Sequence, residues 1–79
     1  MSMNYLITVK TLTGRLVPLC VNDDTTILEI KKMMSSILKI GVDQQRYVFK
    51  GRHLEDISIN NYNIMMDDTI FIHLVLKAG

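Results

Sequence analysis

The side chains in this sequence that could do chemistry are few. Cys20, His53 and His73 are its one cysteine and two histidines, the residue types that a thiol nucleophile with a general base, or a metal ion, would use. Their placement argues against both roles. Cys20 falls on a segment expected to be an edge strand and His73 on one expected to be central, with a strand between them. Neighbouring strands lie about 4.8 Å apart, which leaves thiol and imidazole beyond hydrogen-bond reach. The carboxylates occur as neighbours, Asp23 with Asp24, Glu55 with Asp56 and Asp67 with Asp68. Each pair sits in a turn beside a helix or strand end, where acidic residues are ordinary. The reading is surface histidines and an inert thiol, so no enzymatic activity, metal or cofactor is expected. Six methionines, Met33, Met65 and Met66 among them, fit gap filling in a small core better than a pliable binding surface.

A chain of 79 residues makes one domain, and one of this size buries about two thirds of the surface it exposes when unfolded. At 48% apolar and 22% charged residues the composition is that of a compact soluble protein. A net charge of +1 gives no argument for nucleic acid, acidic membranes or polyanionic substrates. One cysteine allows no internal disulfide, which fits the reducing interior of a cell and an expected cytoplasmic and nuclear location. No basic segment followed by an apolar run opens the chain, and no apolar stretch approaches membrane-spanning length, so neither secretion nor insertion is expected.

The scaffold for these residues is read from apolar periodicity. In the last eleven residues, Thr69 to Gly79, Ile70, Ile72 and Leu74 alternate with Phe71, His73 and Val75. That is a strand apolar on both sides, expected at the centre of a sheet through Leu76. Tyr5, Ile7 and Val9 form the inward row of a first strand. Gly14 supplies the positive φ of a hairpin turn, and Val17, Leu19 and Val21 return as a second row. Pro18 cannot donate to a ladder, so the second strand belongs at an edge with Pro18 facing away from its partner. Thr26 and Glu29 have capping-box spacing, and Ile27, Ile30, Met34, Ile37 and Leu38 line one side of a helix of about three turns, with Met33 and Leu28 off that side. The helix is expected to end near Lys39 to Gly41, although lysine is a poor left-handed cap. Gln45 to Lys50 reads as a third strand, Tyr47 and Phe49 opposite in face to Val48. Gly51 turns it, Leu54 is a short return, and Asn63 suits a left-handed residue closing a tight helical turn.

At this point whole motifs become recognisable. Val9 to Gly14 (VKTLTG), Asp43 to Arg46 (DQQR), Leu54 to Asp56 (LED), Tyr62 to Ile64 (YNI) and the final Gly79 occur in the order and near the spacing of the ubiquitin family. With one deletion after Asp56, the chain resembles that family from Tyr5 to Gly79. The resemblance implies an α+β ubiquitin-like β-grasp, a mixed sheet of strand order 2-1-5-3 plus a short fourth strand, with one helix on its inner face. It divides the chain into an extension at residues 1–4, a domain at 5–76 and a tail at 77–79.

The resemblance also implies sites. The family's main recognition patch maps onto Leu12, Val48, Gly51, Phe71 and His73, and parity alone already points Val48, Phe71 and His73 outward together. Phe71 stands where the family pattern has histidine, and His73 where it has valine. A second apolar patch maps onto Leu12, Ile40, Leu74 and Leu76. Ala78 and Gly79 map onto the terminus that modifiers of the family present for adenylation and attachment to lysine. Arg46, Val75 and Lys77 map onto contacts with activating enzymes, Val75 replacing an arginine. Lys10 and Lys31 map onto acceptor lysines, whereas the most used acceptor positions hold Arg52 and Met66, and arginine cannot form an isopeptide bond.

These implications give two uses. The first is a monomeric interaction domain that binds ubiquitin-binding domains, ubiquitin receptors or proteasome-linked partners through the outer sheet face. The second is a modifier conjugated through Gly79 with the help of activating and conjugating enzymes. Ala78 and Val75 favour the first. A sulfur carrier of the same fold would need a thiocarboxylate at Gly79, and the specific motifs argue against it.

Overall fold

The computed structural model describes residues 3–75. Its elements are β1 (Tyr5–Lys10), β2 (Leu16–Val21), helix α1 (Ile27–Leu38), a short 3-10 turn (Val42–Gln44), β3 (Gln45–Phe49), β4 (Arg52–His53), a second 3-10 turn (Ile59–Tyr62) and β5 (Thr69–Leu74). The strands form one mixed sheet in the order β2-β1-β5-β3-β4. β5 runs parallel to β1 and antiparallel to β3. The last described strand is therefore central, as its two apolar sides require.

β1 and β2 pair with Tyr5 opposite Val21 and Thr8 opposite Pro18. The Thr11 N–H donates to the Arg15 carbonyl at 2.9 Å, and bonded pairs alternate along an antiparallel ladder, so the Thr8–Pro18 pair is a non-bonded one. The missing N–H of Pro18 thus faces open water at the sheet edge. Gly14 turns the hairpin at φ 86°.

The inner face of the sheet and α1 close on one core. Ile7, Val9, Tyr47 and Ile70 from the strands and Ile27, Ile30 and Met34 from the helix are fully buried. Thr26 caps α1: its hydroxyl accepts from the Glu29 N–H at 3.1 Å while Glu29 Oε1 accepts from the Thr26 N–H at 3.1 Å. The two bonds satisfy donors that a helix start leaves free. Gln45 carries a polar thread through this core. Its Oε1 accepts from the Tyr47 hydroxyl at 2.7 Å, and its Nε2 donates to the Lys31 carbonyl of α1 at 2.8 Å. The Lys31 ammonium in turn meets Asp56 at 2.8 Å, tying the helix to the loop after β4.

Several expectations shift. Ile37, expected inward, is exposed, while Leu38 and Met33 pack partly against the core. At about 100° per residue Ile37 and Leu38 flank the line of Ile27, Ile30 and Met34 almost equally, so packing and not the period decides between them. Lys39 does take the left-handed conformation, at φ 58°, and its N–H donates to the Ser35 carbonyl. β3 stops at Phe49 because Lys50 has φ 50° and Gly51 φ 75°, two left-handed residues in a row, the geometry of a tight hairpin turn. Asn63 closes its 3-10 turn at φ 56°. β5 ends at Leu74 rather than Leu76, and Leu76, Lys77, Ala78 and Gly79 lie outside the described residues.

Candidate functional site: the outer sheet face

The side of the sheet away from α1 is uncovered. Register, more than composition, decides what it presents. Phe71 on β5 lies directly opposite Val48 on β3, and His73 opposite Arg46. Val48 also faces His53 on β4. Phe71 is 43% exposed and Val48 is half-buried, so an aromatic and a β-branched side chain form a cross-strand pair in contact with water. Four residues of the first predicted patch, Val48, Gly51, Phe71 and His73, come from this β3-β4-β5 region.

Leu12, the fifth, is exposed at the β1-β2 turn and also lines a neighbouring cleft of about 270 Å³. The walls of this cleft include Thr11, Leu38, Ile40, Ile72 and Leu74. Ile40 and Leu74 of the second predicted patch therefore do meet, with Leu12 shared between the two. Leu74 is 53% exposed although alternation assigns it to the buried row of Ile70 and Ile72. It lines the same open cleft as Leu38, the last residue of α1.

Of the enzyme-contact candidates, Arg46 is exposed on β3, and Val75 is half-buried with its N–H donating to the Gln44 carbonyl at 2.7 Å. Lys77, Ala78 and Gly79 lie outside the described residues. Among the acceptor lysines, Lys10 is exposed at the end of β1, whereas the Lys31 ammonium is engaged by Asp56. Cys20 pairs with Leu6 on the edge strand, and β1 separates it from the β5 strand of His73. Among the described residues no group of three or more His, Cys, Asp or Glu side chains could hold a metal ion, and no helix is long and apolar enough to cross a membrane.

The chain matches the Ubiquitin family over residues 7–78. It belongs to that family. Among its relatives, the large proline-rich protein bag6 of Xenopus tropicalis is 37% identical over 73 residues, covering 91% of this chain and 6% of that protein. Ubiquitin-like protein 4A of Rattus norvegicus is 41% identical over 59 residues, 73% of this chain and 38% of that protein. The human ubiquitin-like protein 4A is 42% identical over 50 residues, 63% of this chain and 32% of that protein. The chain thus spans well under half the length of each of these relatives.

Within the ubiquitin family frame, two features of this face escape a motif-by-motif reading. The first lies at its rim: Arg52, paired with Phe49 and so on the inner side of β4, lies over the Tyr62 ring at 5.1 Å, and Lys50 lies over the Phe49 ring at 5.3 Å, so both cations of the β3-β4 turn rest on core aromatic rings. The second is a group of exposed apolar residues on the other half of the face, with Leu6 at 53% and Leu16 at 61% exposure and Pro18 and Cys20 also exposed. Parity along β1 and β2 signals each of these residues. Their relation to Phe71 depends on the parallel β1-β5 register, which local sequence does not carry.

Proposed function

We propose that the chain is a protein-interaction domain without enzymatic activity, which recruits ubiquitin-binding domains or proteasome-linked partners of the cytoplasm and nucleus through its outer sheet face. The observation that carries this reading is the water-exposed Val48–Phe71 pair on an uncovered sheet face. Such a cross-strand pair adds less than about 1 kcal/mol to folding, and a rimmed apolar centre is how a binding surface is built. The relatives carry the matching stretch as the smaller part of a longer chain, which supports use as an integral domain over use as a conjugated modifier.

The test is binding of purified ubiquitin-binding domains to Val48→Ala and Phe71→Ala, followed by calorimetry, with thermal unfolding as the control for folding. Each substitution is expected to weaken binding by about tenfold, as truncation of an interface anchor does, with little change in the melting curve. Unchanged affinity in both variants would remove this face as the binding surface.

A further inference from the structure

Lys50 and Arg52 flank Gly51 in the turn that joins β3 to β4, and both are exposed. The Lys50 ammonium stands 5.3 Å from the centre of the Phe49 ring and the Arg52 guanidinium 5.1 Å from that of Tyr62. These four side chains line one hollow of about 140 Å³, and no acidic residue lines it with them. Neither cation forms an ion pair with another described residue. Arg52 pairs with Phe49 across the turn, whereas Val48 pairs with His53, so the hollow opens away from the Val48–Phe71 face. Its walls are set before any ligand arrives. Phe49 and Tyr62 are 7% and 9% exposed, and the Tyr62 hydroxyl accepts from the Glu55 N–H at 2.8 Å. The turn itself is fixed by left-handed φ values of 50° at Lys50 and 75° at Gly51. Rings and backbone that are already ordered lose little freedom on binding.

We propose that this hollow is a second binding site, separate from the outer face, and that it takes a phosphotyrosine side chain of a partner protein. The ligand needs an anionic end, because two cations without acidic partners share the hollow and an anion between them removes their repulsion. A phosphate ester carries about −1.5 to −2 charge near neutral pH, which matches two cations where a single carboxylate does not. The ligand also needs a flat apolar body, because the rest of the lining is the aromatic pair Phe49 and Tyr62. A guanidinium stacks on rings through its faces and donates hydrogen bonds from its edge. Arg52 lies over Tyr62 on one face, which leaves the other face for a phenyl ring and the edge for phosphoryl oxygens. The Lys50 ammonium is the second donor. Phosphoserine and inorganic phosphate bring the charge without the ring. The site shares no residue with the Val48–Phe71 pair, so either reading can fail alone.

The experiment titrates the complete chain with N-acetyl-phosphotyrosine amide, followed by backbone amide chemical shifts and calorimetry. N-acetyl-phosphoserine amide and inorganic phosphate are the comparison ligands. Shifts centred on Lys50, Gly51 and Arg52 are expected, with binding about tenfold tighter than for either comparison ligand, as a ring stacked on a guanidinium supplies. Arg52→Gln should weaken binding by about tenfold or more, as loss of a charge-assisted hydrogen bond does, and Lys50→Gln by about fivefold. Arg52→Lys keeps the charge but not the stacked fork, and should fall between Arg52→Gln and the unchanged chain. Both side chains are exposed, so the melting curves should be nearly unchanged. Val48→Ala and Phe71→Ala should leave this binding as it is. Equal affinity for phosphate and the phosphotyrosine amide overturns the aromatic body of the ligand. Indifference to both Arg52→Gln and Lys50→Gln, or a loss confined to Val48→Ala and Phe71→Ala, overturns the site. Absence of any shift at the turn overturns the proposal outright, while the test with ubiquitin-binding domains still decides the outer face.

Discussion

Ile70 and Phe71 are neighbours on β5, and the first is fully buried while the second is 43% exposed. The same contrast repeats on β3, where Tyr47 is buried and Val48 beside it is half-buried. The inner face is closed by α1 and made of aliphatic and aromatic side chains with one satisfied polar thread. The outer face mixes apolar and cationic side chains that satisfy nothing within the chain. Folding therefore draws on one row of alternate residues and recognition on the other. A single strand can carry both because its side chains point in opposite directions at each step.

The largest effect that separates the two faces is expected from truncating these neighbours one at a time. Ile70→Ala removes buried volume in a core that cannot refill it, and should cost about 2–5 kcal/mol of unfolding free energy by urea titration. Phe71→Ala loses a cross-strand contact with Val48 and should cost below about 1 kcal/mol. Equal losses in the two variants would erase the distinction between the faces.

Much of this division was legible in the chain before folding. Alternation in β1, β2 and β5 named the buried rows, Pro18 named the edge, Thr26 with Glu29 named the helix start, and Asn63 named a left-handed residue. The ubiquitin family motifs then supplied the strand order. What stayed hidden has physical causes. Alternation states which side Leu74 faces, but not that it opens there onto a cleft. Periodicity admitted Ile37 because a step of three from Met34 is as regular as a step of four to Leu38, and only the sheet beneath decides between them. The placing of Phe71 between Lys10 and Val48 needed registers between strands far apart in sequence, which no local pattern contains.

A smaller effect tests the polar thread on the inner face. The Tyr47 hydroxyl donates to Gln45 Oε1 at 2.7 Å, and burial pushes its phenol well above the usual tyrosine range. Tyr47→Phe leaves that buried amide oxygen without its donor and should cost about 1–3 kcal/mol at neutral pH. The sign of the pH effect follows from the raised pKa. A phenol that holds its proton more tightly folded than unfolded contributes fully below about pH 10, and the contribution is lost as pH rises beyond that. Wild-type stability should therefore fall at alkaline pH and Tyr47→Phe should fall less steeply. Tyr5 keeps part of the slope, since burial and then its hydrogen bond to Asp23 raise it too. Parallel alkaline slopes in the two proteins, followed by denaturant midpoints, would show that the thread is not closed in solution.

The smallest expected effect belongs to neither face. Lys39 ends α1 at φ 58° and ψ 42°, a conformation that costs an L side chain about 1 kcal/mol because its Cβ crowds the carbonyl. Glycine removes that crowding, at the expense of a more flexible unfolded chain and of a cation near the helix C-terminus, so Lys39→Gly should stabilise by about 0.5 kcal/mol. Asn63 occupies nearly the same conformation at φ 56°, but asparagine visits that region readily. Asn63→Gly should therefore gain less, and the pair separates backbone strain from any general benefit of glycine. Neither substitution touches the outer face, so the affinity of a ubiquitin-binding domain bound there should be unchanged in both. A stabilised Lys39→Gly with altered affinity would mean that the end of α1 communicates with the outer face, and that the two sides of the sheet are not independent.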